Sequence, residues 1–180
     1  DEQIVGQFLQ DFIRNKDRFS FPEKIGEGIT LHRAIDTFTD AHPEIHEAKK
    51  IFSPLVRLYA GAFVDVAFDY FLANSLPDKI LKEHSEKVYR VLRNHEEFLP
   101  ENFLRMLDRM EKDNWLYNYR SDWGIEFSMK NVLNKAKYLN KNLAVFEVFL
   151  NNKPRLQYHF DHFFPDLVAE VQKIDSGFRS

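Results

Sequence analysis

The chain has 180 residues and a formal charge of −3, the length of one ordinary domain and a balance that argues against the broad positive field of a nonspecific nucleic-acid binder. Eighteen Phe, seven Tyr and two Trp supply large side chains for a core, while six Gly and seven Pro leave little material for a turn-rich all-β fold. The absence of Cys excludes disulfides, thiolate nucleophiles and sulfur-ligated metals, so any metal must be held by His, carboxylates, carbonyls or water.

Apolar residues recur at helical spacing, with breaks near Pro22, Pro43, Pro54, Pro77, Pro100 and Gly124. This pattern predicts an all-α, single-domain helical bundle of about seven or eight helices spanning 1–180. In chain order the helices are expected over 2–15, 23–41, 44–52, 54–75, 78–97, 100–119 and 121–139, followed by 142–174 with a kink at Pro154 or Pro165. Internal repeats, Gly/Ser-rich linkers, phosphate loops and nucleophile elbows are all absent, so the chemistry is expected from side chains on helices. No apolar run reaches about 18 residues, which predicts a soluble protein with no membrane partner, and a cytoplasmic location fits.

Within the predicted helix 23–41, His32, Asp36 and Asp40 are spaced by four and share one face. Ile25 and Ile29 continue that face toward the N-terminus, although a surface line of polar residues has the same spacing. From Leu58 to Ala73 the helix is apolar all round except at Asp65 and Asp69, again four apart. A helix of that composition is expected to be buried, and two buried carboxylates call for a compensating cation. Either a metal shared with His32, Asp36 and Asp40 or an Arg, with Arg33, Arg57 and Arg120 available, would satisfy them. Asp11 is a fifth acidic candidate on an amphipathic helix, while His159 and His162 are expected as core histidines and His84 and His95 as surface ones.

The run GITLHRAIDTFTDAHP at 28–43 resembles the signature of the acyl-carrier-protein phosphodiesterases. GQFLQDFIR, FVDVAFDYFLA and NWLYNYRSDWGI resemble further blocks of that family in the same order. Gln7 stands where the family usually has Asn, and Tyr70 where a His commonly follows the second Asp. The family's short apolar opening segment, which carries a His, has no counterpart, so a short N-terminal segment is expected to be missing before Asp1.

The resemblance implies a helical fold related to the HD phosphohydrolases and metal-dependent hydrolysis of the phosphodiester joining 4′-phosphopantetheine to a serine of holo-acyl carrier protein. It implies Asp11, His32, Asp36 and Asp69 as residues for metal binding or water activation, with Asp40 and Asp65 as further metal ligands. Arg14, Arg33 and Arg120 match basic positions for the substrate phosphate, and the implied cofactor is Mn²⁺, with Mg²⁺ or Fe²⁺ as alternatives. An acidic carrier protein would require a local basic surface, for which Lys130, Lys135, Lys137 and Lys141, or Arg14, Lys16 and Arg18, are candidates. Two other readings remain: a phosphohydrolase acting on a nucleotide or small phosphate ester, and a catalytically silent helical binding protein.

Overall fold

A computed structural model describes residues 1–179 as nine α-helices joined by short 3₁₀ turns, with no strand among the described residues. They are α1 (Glu2–Leu9), α2 (Glu23–Ala41), α3 (Pro43–Val56), α4 (Ala60–Ser75), α5 (Asp78–Arg93), α6 (Glu101–Lys112), α7 (Trp115–Asn118), α8 (Asp122–Lys135) and α9 (Val145–Phe178). The all-α expectation holds, and α2 has the limits read from its apolar spacing. Ser180, the last residue of the expected domain, lies outside the described residues.

Breaks occur where side-chain spacing gives little warning. The first predicted helix stops at Leu9, tightens into a 3₁₀ turn over Gln10–Phe12 and becomes extended at Ile13. Pro54 does not divide the next region: α3 passes through it and ends at Arg57, a non-glycine residue with φ 50°. Asn114, with φ 44°, likewise separates α6 from α7. Such left-handed conformations are uncommon outside glycine. Conversely, α9 continues over 34 residues through both Pro154 and Pro165.

The described chain forms two compact units. The first combines Asp1–Thr39, Asp78–Asn114 and the segment from Leu167 onward. Its buried side chains include Val5, Leu9, Ile25, Ile29, Leu92 and Phe103, drawn from α1, α2, α5 and α6. Arg93 on α5 donates to Glu111 at 2.5 Å and Asp108 at 2.6 Å, clasping α6, and also reaches Glu96 at 2.8 Å.

The second unit combines Asp40–Pro77 with Trp115–Asp166. Phe52, Phe63, Ile125, Met129 and Phe149 are fully buried there, and Phe68 meets Phe71 and Phe160 edge to face while those two rings are tilted against each other. The stretch Pro43–Ser75 is long and apolar enough to cross a membrane by composition alone. It is interrupted at Arg57, however, and its large apolar side chains Phe52, Val56, Phe63 and Val64 are buried within the unit.

Candidate functional site

Two glycines determine how α1 meets α2. A Cβ placed on Gly6 would lie 2.0 Å from the Ile25 carbonyl oxygen, and one on Gly28 would lie 2.1 Å from the Gln3 carbonyl oxygen. The backbones therefore approach more closely than any side chain permits. Gln3 reinforces the crossing by donating to Glu27 at 2.7 Å, and Lys24, also at 2.7 Å, holds the Glu27 carboxyl below its usual range.

Asp11 follows Gly6 by five residues and His32 follows Gly28 by four, so this crossing brings them together. His32 Nε2 lies 3.3 Å from Asp36 Oδ2, one turn along α2, and 3.7 Å from Asp11 Oδ1. Exposure rises steadily along that helix face, from buried Ile25 and Ile29 through the partly buried His32 side chain at 25% to Asp36 at 61%. The imidazole thus has its base in the core and its tip beside two hydrated carboxylates. Such carboxylates can orient an imidazole, accept its proton or bind a cation.

Arg33, Asp36 and Thr37 line one side of an open groove of 410 Å³, facing Gln10, Ile13 and Asn15. Arg33 Nη1 donates to Asn15 Oδ1, which directs the guanidinium to the groove. Arg14 is instead drawn to Asp17 at 2.7 Å, which raises the guanidinium pKa and lowers that of Asp17.

The remaining candidates belong to the second unit. Asp40 continues the α2 stripe, but its carboxylate accepts from Lys49 at 3.0 Å. It shares a groove of 530 Å³ with Lys49, Lys50, Arg57, Leu58 and Asp65. The expectation that Asp65 is buried is therefore corrected: its turn of α4 opens to solvent beside this groove, although the turns around it are apolar.

Asp69 behaves more as the apolar sequence predicts. Its carboxyl is only partly exposed, and surrounding protein mass pushes its pKa up to about 7, with repulsion from Asp65 adding to the shift. None of the expected arginines appears among the influences on that group. Arg57 lines the other groove, and Arg120 lies over the Tyr117 ring at 5.6 Å while its carbonyl accepts from Asn74 at 3.0 Å.

This shift makes a pH prediction. A raised folded-state pKa stabilises the fold below the ordinary carboxylate range, and that contribution is lost as pH rises through about 7. Asp69→Asn is therefore expected to stabilise metal-free protein by about 1–3 kcal/mol near pH 8 and to have little effect near pH 4. Urea midpoints at the two pH values measure this, and equal midpoints near pH 8 would contradict it.

Several residues have structural tasks that spacing did not reveal. Tyr70 accepts from Lys153 at 3.3 Å through its hydroxyl, and Lys153 also binds Asp122 at 2.6 Å, linking α4, α8 and α9. His159 is buried and pairs with Glu44 at 2.6 Å, whereas His162 is exposed, contrary to its expected core position. His84 is exposed, as expected, but His95 is partly buried and bonded to the Val91 carbonyl at 2.8 Å. In the lysine run, Lys141 caps the end of α8 through the carbonyls of Leu133 and Ala136, and Lys130 pairs with Glu126, leaving Lys135 and Lys137 exposed.

Among the described residues, no three His, Asp or Glu side chains form a ready-made metal-ligand set. The His32 cluster nevertheless offers one nitrogen and carboxylate oxygens, and Asp11 and Asp36 are 71% and 61% exposed, so their side chains have room to turn.

A family model described as acyl carrier protein phosphodiesterase matches residues 1–167, covering all the candidates named above. The chain is 26% identical to an acyl carrier protein phosphodiesterase from Enterobacter sp. (strain 638), over 96% of this chain and 91% of that protein. It is 27% identical to proteins of the same name from Salmonella agona (strain SL483) and Salmonella dublin, over 96% of this chain and 92% of each relative. No solved structure matches it. The chain belongs to the acyl carrier protein phosphodiesterase family.

Proposed function

We propose that this protein is a cytoplasmic, metal-dependent phosphodiesterase that releases 4′-phosphopantetheine from holo-acyl carrier protein and leaves the apo-protein. The observation that carries the reading is the convergence of Asp11 and Asp36 on His32 beside the groove occupied by Arg33. Family membership supplies the substrate.

The donor set suits a hard or borderline divalent ion, with Mn²⁺ favoured and Mg²⁺ or Fe²⁺ as alternatives. His32, Asp11 and Asp36 would hold it. Asp69, Asp40 and Asp65, which the family resemblance implies as further ligands, belong to the second unit, where Lys49 engages Asp40 and repulsion from Asp65 adds to the raised pKa of Asp69. When bound, the ion supplies a water of lowered pKa and neutralises phosphoryl charge.

The protein's own groups supply the rest. Without the ion Asp36 and Asp11 hold the tip of the His32 ring, and with it a carboxylate not engaged in binding can take a proton from the attacking water. Arg33 faces the groove and offers a planar set of donors to phosphoryl oxygen. Arg14 and Arg120 rank behind it as phosphate ligands, since Asp17 and Tyr117 respectively engage their guanidinium groups.

Incubation with holo-acyl carrier protein and Mn²⁺ or Mg²⁺ is expected to remove the mass of one phosphopantetheine from the carrier. Unchanged carrier mass with every divalent ion tried would reject the proposal. A panel of nucleotides and small phosphate esters tests the competing phosphohydrolase reading.

A further inference from the structure

We propose that a second groove in the first unit, walled by Phe12, Ile13, Phe21, Phe98, Leu99 and Pro100 and also lined by the charged Arg14, Asp17 and Glu97, seats the pantetheine arm of the substrate while the phosphodiester occupies the Arg33 groove. This rests on the function proposed above and assigns the part of the substrate that the His32 cluster does not address.

Three observations lead to it. First, Ile13 lines both grooves, so the polar groove of Gln10, Asn15, Arg33, Asp36 and Thr37 adjoins the phenylalanine-walled one at a single side chain. Ile13 can do this because the chain leaves its 3₁₀ turn there and becomes extended.

Second, the groove has a supported apolar wall. Phe12 stacks on the buried Phe103 ring at 4.8 Å, and Leu99 is buried where the chain enters α6. Phe12, Ile13, Phe21 and Phe98 remain partly exposed, as residues awaiting an apolar occupant would be. The volume of 400 Å³ lies within the range of small-molecule sites, about 300–1,000 Å³.

Third, the change of polarity matches the chemistry of the arm. One CH₂ away from its phosphate ester oxygen, pantetheine carries a carbon bearing two methyl groups, followed by a hydroxyl-bearing carbon and an uncharged chain of two amides ending in a thiol. A ligand anchored by phosphate at Arg33 therefore presents its methyl groups at the position Ile13 occupies, and the neutral chain continues along the phenylalanines. A nucleotide would instead place a ribose ring there, with no methyl groups to meet Ile13.

The test separates this inference from the function itself. Isothermal titration should detect binding of free 4′-phosphopantetheine by the wild-type protein, weakened about tenfold in Phe21→Ser and in Phe98→Ser. Turnover assays should show the preference for holo-carrier protein over bis(p-nitrophenyl) phosphate, a diester without the arm, falling by a similar factor through KM. Circular dichroism monitors folding of both variants, and Phe21→Leu should recover most of the affinity.

No binding of phosphopantetheine by the wild type, or equal binding by wild type and both folded variants, would overturn the arm site whatever the enzyme's activity. Binding that weakens in the variants, with no turnover of holo-carrier protein, would retain the arm site and reject the hydrolytic function. Turnover with an unaltered substrate preference in folded variants would retain the function and reject the arm site.

Discussion

Asp36→Ala is expected to lower kcat/KM toward holo-acyl carrier protein by about 10²–10⁴-fold, the range associated with losing a positioned acid–base group. The side chain is 61% exposed and its partner His32 is on the same helix, so its removal leaves no large cavity. Helical circular dichroism should be retained within error. His32→Ala should produce a loss of the same order, and the double variant should lose far less than the product of the two, because both groups serve one centre. Turnover by Asp36→Ala within about threefold of wild type would contradict the role assigned to it.

Gly28→Ala has a different origin and the largest expected effect on folding. The new Cβ would lie 2.1 Å from the Gln3 carbonyl oxygen and 2.8 Å from its carbonyl carbon, both backbone atoms that a side-chain rotation cannot move. α1 must shift away from α2, at an expected cost of about 3 kcal/mol or more. Gly26→Ala is the internal control: its Cβ meets nothing within 4 Å, so removal of glycine's unfolded-state freedom should stabilise the same helix by about 0.5–1 kcal/mol. Opposite shifts in the urea midpoints of the two variants are expected. Gly28→Ala should also lose activity where it remains folded, because Asp11 reaches His32 only through the α1–α2 crossing. Wild-type stability in Gly28→Ala would remove this account of how the site is assembled.

The sequence was most informative where one helix contained the whole relationship. His32 and Asp36 are four apart on α2, so helical geometry alone put them together, and the limits of α2 followed from its apolar spacing. Asp11 required more. Family resemblance makes it a candidate, but its place beside His32 depends on α1 ending at Leu9 and on a contact between glycines 22 residues apart, neither of which apolar periodicity encodes.

Asp65 shows the converse difficulty. An all-round apolar helix announces burial of the whole, yet it does not identify the turn that opens to solvent, and Asp65 occupies that turn. The left-handed breaks at Arg57 and Asn114 escaped for another reason: glycine usually marks such conformations, and neither position has it. Pro54, Pro154 and Pro165 were expected to divide or kink helices, but the segments carrying them continue as α3 and α9.

Because both units are assembled from separated stretches of chain, their order of synthesis differs from their order of completion. The residues bearing Asp11 and His32 leave the ribosome before Asp78–Asn114 and the residues from Leu167 onward, which their unit also uses. Asp175 and Phe178, near the far end of α9, line one cavity with Gln3 and Glu27, next to the glycine crossing. A nascent chain therefore carries the segment bearing Asp11 and His32 without its final neighbours until α9 has been made, leaving apolar α1 and α2 surface for a chaperone to shield.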